Sequence, residues 1–485
     1  MTAESSSLVA DPHYGPLKEH LIRSTGLAYY TDKDEDLAGR IGRRLAALGM
    51  RDCASYLDIL HDPEKGEGEL AALAAELTIG ETYFFRHSEQ FDALRQIVLP
   101  DILERNRASR RLRIWSAGCA TGAEPYSVAV LLRRDLVDQI AGWEVTILGT
   151  DVNRSFLARA REGRFEEWAL RATSEDLRHC CFERQGNSWA LRPEYREWVS
   201  FQYHNLAKHP FPSLVHNLAA FDLILCRNVM IYFGPAVIAS IVERFEECLV
   251  GGGWLVVGHA EPNTEVFRQF LTVNAPGATL YQKAAGYQKA AAVPAPLPNV
   301  ASTWLPIPPA VPPTPAIELP YAALPARQAP EPKPSPRASP DDLRPDDLPT
   351  VLALADRGDW AAASACCRRL LEADGLDPAV HFYHALILEQ LGFPGEAELS
   401  LRRVLYLDRG FVLAHYHLGL FLQKNRNAAQ AVRSFENVLE LLCREDDGAV
   451  FPGSDGMTVA DLKELTRMHL EVLRGEVLPR ERADG

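Results

Sequence analysis

The stretch Leu112-Arg-Ile-Trp-Ser-Ala-Gly-Cys-Ala-Thr-Gly-Ala-Glu-Pro-Tyr126 decides the fold. An apolar run holding Leu112, Ile114 and Trp115 ends in small residues and two glycines, Gly118 and Gly122, and an amphipathic segment starts at Ser127. Strand, glycine turn and helix in that order open a nucleotide-binding α/β sheet. Glycine lets the backbone turn sharply and approach a ligand closely. Glu124 stands where a diphosphate would sit, and a carboxylate there repels one. It suits a ligand with hydroxyls or a positive charge, and S-adenosylmethionine has both.

Downstream, Trp143-Glu-Val-Thr-Ile-Leu-Gly-Thr-Asp151 reads as the second strand. An acid at its end accepts hydrogen bonds from ribose hydroxyls in such sheets. Asp151 could equally cap the helix that begins at Asn153, and both readings stay open. His204-Asn205-Leu206 closes a strand over Val199 to Tyr203, and Phe221 to Cys226 runs buried into Arg227 and Asn228. Gly118, Asp151, Asn205 and Asn228 thus fall at the carboxyl ends of parallel strands, where ligands of open α/β sheets bind. Residues 163 to 204 are short, aromatic and broken by Gly186 and Pro193, which predicts an inserted antiparallel subdomain. A helix over 236–249, a triple-glycine turn (Gly251 to Gly253) and the strand from Trp254 follow, and the fold ends near 283.

Upstream, residues 14 to 78 predict small helices. Residues 37 to 51 hold Arg40, Arg43, Arg44 and Arg51 and no acid, opposite Leu37, Ile41, Leu45 and Leu48 at helical spacing. Such a face is either solvated or docks an acidic protein partner. Tyr83, Phe84 and Phe85 in a row cannot all face one core, which suits a loop folded over a ligand. Arg86 then carries a fixed charge into that pocket, and a helix from Ser88 stops at Pro100.

Residues 281 to 349 hold 18 of the 33 prolines and read as an extended spacer. From about 350 the chain repeats every 34 residues: Ala363, Ala397 and Ala431 recur, as do Asp359, Phe393 and Asn427. Each period holds two amphipathic helices, the tetratricopeptide pattern, although the Trp and Tyr of the full pattern are missing. A helix over 459–473 would cap the stack, whose default role is binding another protein. A chain ended after residue 283 is expected to fold and bind cofactor alone.

The formal charge of −14 disfavours a general nucleic-acid binder. Nine cysteines without CxxC spacing read as reduced, mostly buried thiols, with no metal site. The start lacks the basic and apolar segments of a signal peptide, and no apolar run reaches about 18 residues, so a cytoplasmic protein is expected.

Residues 14 to 283 closely resemble the chemotaxis-receptor methyltransferase (CheR) family, which methylates receptor glutamates with S-adenosylmethionine. The matching stretches are Glu81-Thr-Tyr-Phe-Phe-Arg86, Ser116 to Ser127, Gly149-Thr-Asp151, Cys226-Arg-Asn-Val-Met-Ile-Tyr-Phe233 and Gly258-His-Ala-Glu261. The resemblance implies a cofactor site lined by Gly80, Thr82, Arg86, Gly118, Glu124, Asp151, Asn205, Leu206, Arg227 and Asn228. It implies catalytic contacts from Arg86 and Tyr232, and receptor docking by Arg40, Arg43, Arg44 and Arg51. Gly80 stands where the family often has a cofactor-contacting Asn, and Ala123 replaces a commoner acid. The carboxy-terminal repeats resemble those of members fused to tetratricopeptide domains.

The expected protein is therefore α/β. Residues 14–78 form a helical receptor-docking domain. Residues 79–283 form a class I S-adenosylmethionine-dependent (Rossmann-like) methyltransferase sheet with its insertion at 163–204. A linker spans 284–349, and α-helical tetratricopeptide repeats with a capping helix span 350–475. Its partners would be a methyl-accepting receptor and an unidentified protein held by the repeats, with neither nucleic acid nor membrane insertion. A scaffold that binds cofactor without turnover, or a methyltransferase for another protein acceptor, is the alternative.

Overall fold

The computed structural model describes residues 7–62, 65–285, 347–450, 453–455 and 457–481. The linker expected at 284–349 lies almost wholly outside them. Helices α1 (Tyr14–Thr25), α2 (Asp34–Leu48), α3 (Cys53–Leu60) and α4 (Gly66–Leu77) pack around Leu17, Leu21, Leu37, Ile41, Tyr56 and Leu73. α1 and α2 each stop at a left-handed glycine, Gly26 and Gly49, and the Asp52 side chain caps α3 by accepting from the Ser55 amide. The Tyr30 hydroxyl donates to the Leu77 carbonyl at 2.6 Å and ties the loop after α1 to the end of α4.

Helices α5 (Ser88–Ala93) and α6 (Leu99–Arg105) run on through a π turn over Leu94–Val98. The helix expected to stop at Pro100 therefore continues. Pro100 falls in the first turn of α6, where a missing N–H costs little.

Next comes the deciding stretch, as strand β1 (Arg111–Ala117) and helix α7 (Ala123–Asp135). β2 (Glu144–Asp151) and α8 (Arg154–Glu162) follow. An insertion holds β3 (Arg164–Glu166), α9 (Glu175–Cys181), β4 (Phe182–Gln185) and β5 (Ser188–Leu191), its strands ordered β3-β5-β4. Then come β6 (Val199–Tyr203), β7 (Phe221–Cys226), α10 (Pro235–Cys248), β8 (Leu249–Val257), β9 (Leu271–Ala275) and β10 (Ala278–Gln282). The main sheet runs β6-β2-β1-β7-β8-β10-β9. Its first five strands are parallel, and β10 is antiparallel to both neighbours. Trp115 is fully buried in β1, and its indole donates to Thr150 Oγ1 at 2.9 Å, fastening β1 to β2.

Two expectations need correction here. The insertion ends before β6, because Val199–Tyr203 pairs with Ile147–Asp151 of β2 as the edge of the main sheet. The triple glycine is no free turn either: β8 runs through it, and its pairing with β7 shifts register between Phe221 and Leu223.

From Leu348 the helices pair: α11 (Leu348–Asp356) with α12 (Trp360–Ala373), α13 (Pro378–Gln390) with α14 (Pro394–Leu407), and α15 (Val412–Lys424) with α16 (Ala428–Leu442). α17 (Val459–Glu481) closes the stack. Ala363, Ala397 and Ala431 are buried at equivalent points of the second helices, where small side chains let helices cross closely. Gly358 and Gly392 turn the chain with φ of +79°, and Arg426 takes that left-handed place in the third repeat. Asp359 and Asn427 then cap α12 and α16. The first helices α13 and α15 are buried around most of their circumference, and His469 of α17 meets Tyr416 and Gln423 of α15. Leu157, Tyr203, Leu214 and Val215 join the core of the repeats, and Arg113 of β1 donates to Gln390 Oε1 of α13 at 2.8 Å. No helix among the described residues is long and apolar enough to cross a membrane.

Candidate functional site

A cleft opens at the carboxyl ends of β1, β2, β6 and β7. Of the residues singled out from sequence, Thr82, Arg86, Gly118, Glu124, Asp151, Asn205, Leu206, Arg227, Asn228 and Tyr232 line it. Gly80 does not.

Each is there for a local reason. Gly118 has φ of +78°, and a Cβ built on it would lie 2.4 Å from Val229 Cγ2, so only glycine leaves this wall open. Asp151 ends β2 with Oδ2 accepting from the Ala120 amide at 2.9 Å and Oδ1 from the Asn153 amide at 2.8 Å. Asn153 itself caps α8, its side chain accepting from the Ser155 and Phe156 amides. Asp151 is therefore not the cap, and it lines the cavity. Burial pushes its carboxyl up to about 6, only partly offset by the amides of Asn153, Ala120 and Val152.

Glu124, in the first turn of α7, accepts from Ser116 Oγ at 2.7 Å and from Arg227 Nη1 at 2.9 Å. Arg227 also donates from Nε to Gln90 Oε1 at 2.6 Å and from Nη2 to the Arg86 carbonyl. Gln90 in turn donates to the Val257 carbonyl at 2.6 Å. One buried guanidinium therefore fixes α5, α7, the ends of β7 and β8, and the segment carrying Arg86.

A second carboxylate sets the loop after β7. Glu261 accepts from the amides of Asn228 (2.9 Å), Val229 (2.8 Å) and Met230 (2.8 Å), and also from that of Gly258. Burial raises its carboxyl and the four amides oppose the rise. Held so, Asn228 adopts φ of +61°, and its Oδ1 is buried without a partner in the cavity wall. A buried orphan acceptor costs about 1–3 kcal/mol unless a ligand donor completes it. That acceptor, the Asp151 and Glu124 carboxylates, and an apolar wall of Leu27, Leu77, Ile79 and Phe156 fit the ammonium, ribose and base of S-adenosylmethionine.

Arg86 donates from Nη1 to the Glu81 carbonyl at 2.8 Å, while its Nε is buried without a partner. Tyr232 packs edge-on against Tyr29 of the helical domain, ring centroids 5.3 Å apart, and burial pushes its hydroxyl up. Both side chains face the cavity between the helical domain and the sheet.

Three expectations are corrected. The aromatic triplet does not cover a ligand: Phe84 is buried between Phe165 and Phe182 of the insertion, and Phe85 packs on Phe91. Tyr83 instead lies under the guanidinium of Arg171, 3.5 Å from the ring centroid. Gly80 takes no part in the wall because the ring of Phe156 stands against it, 2.3 Å from where a Cβ would be, and fills that place. The arginine face is not free. Arg44 is bidentate to Glu69 (2.9 and 2.7 Å), Arg43 pairs with Glu76 (2.9 Å), and Arg40 donates to Asp36 (3.0 Å) and the Glu76 carbonyl. Their acids lie on α4 and one turn upstream on α2, outside the 37–51 window.

Sequence reading missed Gln90, Phe156 and His204 as site residues, and the wall that Thr25, Leu27 and Leu77 contribute. His204 is buried, lines the cavity, and is held well below its ordinary range by burial. Glu261 was legible as part of Gly258-His-Ala-Glu261; its use as an acceptor for four amides was not.

Fold and cavity together define a class I methyltransferase that uses S-adenosylmethionine. The CheR methyltransferase S-adenosylmethionine-binding domain matches residues 80–277. A probable chemotaxis protein methyltransferase of Rhizobium etli is 34% identical over 227 residues, covering 46% of this chain and 82% of its own. The chemotaxis protein methyltransferase of Borreliella burgdorferi is 32% identical over 228 residues, covering 46% and 79%. The chain belongs to the chemotaxis protein methyltransferase family. The tetratricopeptide domain of Sgt2 from Aspergillus fumigatus aligns with 28% of this chain and 78% of its own at 15% identity and a TM-score of 0.23, and the repeat assignment rests on the helix register above.

Proposed function

We propose that the chain methylates glutamate side chains of a methyl-accepting chemotaxis-type receptor. The observation that carries the reading is that Arg86 and Tyr232 open onto the same cavity as Glu124, Asp151 and Asn228, with the Arg86 Nε still unpartnered. S-adenosylmethionine supplies an electrophilic methyl group on a sulfonium. A glutamate acceptor is already ionised at neutral pH, so the protein need supply no base. Arg86 and Tyr232 would orient that carboxylate, Asp151 and Asn228 would hold the cofactor's polar groups, and the wall from the helical domain excludes water from a charge pair that cancels on reaction. The half-exposed Arg43, and Arg51 beyond the end of α2, are what remains of a cationic docking face. The repeats would bind a protein through their second helices, where Leu399 and Tyr406 of α14 are exposed.

The test is transfer of tritiated methyl groups to receptor cytoplasmic fragments. Base-labile label, lost when the acceptor glutamates are replaced by Gln, supports the reading. Base-stable label would assign another acceptor, and binding of S-adenosylhomocysteine without label on any fragment would favour a scaffold.

A further inference from the structure

The turn between β2 and α8 carries Asp151, and it is held from outside the sheet on two sides. Asn153 Nδ2 donates to the Ala75 carbonyl at 3.0 Å and to Thr78 Oγ1 at 2.9 Å, both at the end of the N-terminal helical domain. Arg154, the next residue, points to α17. Its Nη1 lies 2.7 Å from Glu464 Oε1 and its Nη2 3.7 Å from Asp461 Oδ1. The same guanidinium lies 3.8 Å from the ring centroid of Tyr203, the last residue of β6. His204, Asn205 and Leu206, which follow Tyr203, line the cofactor cavity. One side chain thus joins the two strand ends that flank the cavity, β2 with Asp151 and β6 with Asn205, to the helix that closes the repeat stack.

The neighbourhood is arranged around that link. Beside it, a second hollow is bounded by Thr25 and Ala74 of the helical domain, Asn205 and Lys208 of the sheet domain, and Ala460 and Glu464 of α17. Thr25, Ala74 and Asn205 also line the cofactor cavity, so the two spaces share a wall. Nearby, Ser213 Oγ donates to Asp455 Oδ2 at 2.6 Å and His216 Nε2 meets the Ser454 carbonyl at 3.0 Å, which fixes the approach to α17 against the sheet domain. An ion pair with exposed members contributes little by itself. Here its geometry is what matters: Arg154 sits three residues from Asp151, and its side chain ties that turn to α17.

We infer that Arg154 is a positioning residue through which the repeat stack sets the shape of the cofactor site, with Glu464 and Asp461 of α17 as its anchors. The inference rests on the reading of the cavity as the S-adenosylmethionine site. It makes the repeats part of the enzyme's cofactor affinity, and it gives a protein bound to the stack a direct route to that affinity.

The test is calorimetric binding of S-adenosylhomocysteine to four full-length chains: wild type, Arg154→Glu, the charge-swapped Arg154→Glu with Glu464→Arg, and Asp461→Asn with Glu464→Gln. Absence of binding by the wild type would mean that the reading of the cavity fails, apart from the inference built on it. With wild-type binding, the expected results are a rise of about tenfold in Kd for Arg154→Glu, recovery to within about threefold in the swapped chain, and a rise of a few fold in the neutralised one. With saturating cofactor, kcat stays near wild type in all of them, since the acceptor side is untouched. Unchanged affinity in Arg154→Glu, or a loss that the swap does not recover, overturns the inference.

Discussion

Arg227 Nη1 donates to Glu124 Oε2 at 2.9 Å, and this pair joins the end of β7 to the start of α7 across the cofactor cavity. The arginine side chain is 2% exposed and the glutamate 12%. Removing one partner of a buried pair costs about 3–5 kcal/mol because the other charge is left without compensation. Arg227→Ala is therefore expected to lower the melting temperature and abolish measurable cofactor binding. Arg227→Lys keeps the charge but cannot reach Glu124, Gln90 and the Arg86 carbonyl together. It should fold and bind S-adenosylhomocysteine at least about tenfold more weakly by calorimetry. Wild-type affinity in Arg227→Lys would show that charge alone holds the site.

Asp151 is expected to make cofactor binding depend on pH. Burial raises its carboxyl to about 6, so in the free protein it is neutral at pH 5 and ionised at pH 8. Ribose hydroxyls donate better to the ionised form. Affinity should accordingly fall as pH drops through about 6, with Kd for S-adenosylhomocysteine about tenfold weaker at pH 5 than at pH 8. Asp151→Asn should bind weakly at every pH and show no step near 6. A step of equal size in wild type and Asp151→Asn would place the titrating group elsewhere.

Glu261 is expected to matter for turnover more than for cofactor contact. Its four amide partners define the loop from Asn228 toward Tyr232. Gln in its place offers a single acceptor oxygen and turns an NH2 toward amide donors, and each unmatched buried amide costs about 1–3 kcal/mol. Glu261→Gln should stay folded, lose about a hundredfold in kcat, and melt several degrees lower. Near-wild-type kcat would mean that the loop keeps its shape without the carboxylate.

The sheet was legible because its signals are local. A strand, two glycines and an acid in α7, followed by an acid at the end of β2, fall within forty residues, and the 34-residue period marks the repeats directly. What escaped depended on pairing across the chain. Arg40, Arg43 and Arg44 look unpaired in their own segment, while Glu69 and Glu76 wait on another helix. Phe84 looks stranded in a loop, while its pocket is built by Phe165 and Phe182, far along the chain. Pro100 ends helices by its own chemistry, but a preceding π turn gave it a first-turn position.

Tyr232 is expected to separate binding from chemistry. Burial beside Tyr29 raises its hydroxyl above the ordinary tyrosine range, so it remains a neutral donor across the working pH. Tyr232→Phe should leave S-adenosylhomocysteine affinity within about twofold and lower kcat about tenfold with a receptor fragment as acceptor, the order expected for one lost orienting hydrogen bond. A change confined to cofactor affinity would move Tyr232 to the cofactor side of the cavity.

The repeats bear on stability as well as on the cofactor. A fragment ended after residue 283 looks self-sufficient in sequence, since the last sheet strand closes at Gln282. In the folded chain, however, Leu157, Tyr203, Leu214 and Val215 are buried against the repeats, Gly358 approaches Ala220 and Val250, and Arg113 shares its buried charge with Gln390. Burial lowers the Arg113 guanidinium to about 10. Cutting the repeats away uncovers these apolar side chains, and exposed apolar surface promotes association. The fragment should melt at least about 10 °C below the full chain and scatter light on concentration, and co-expression of residues 347–485 as a separate chain should restore both. A fragment that stays monomeric with the melting temperature of the full chain would show that the two domains fold side by side without depending on each other.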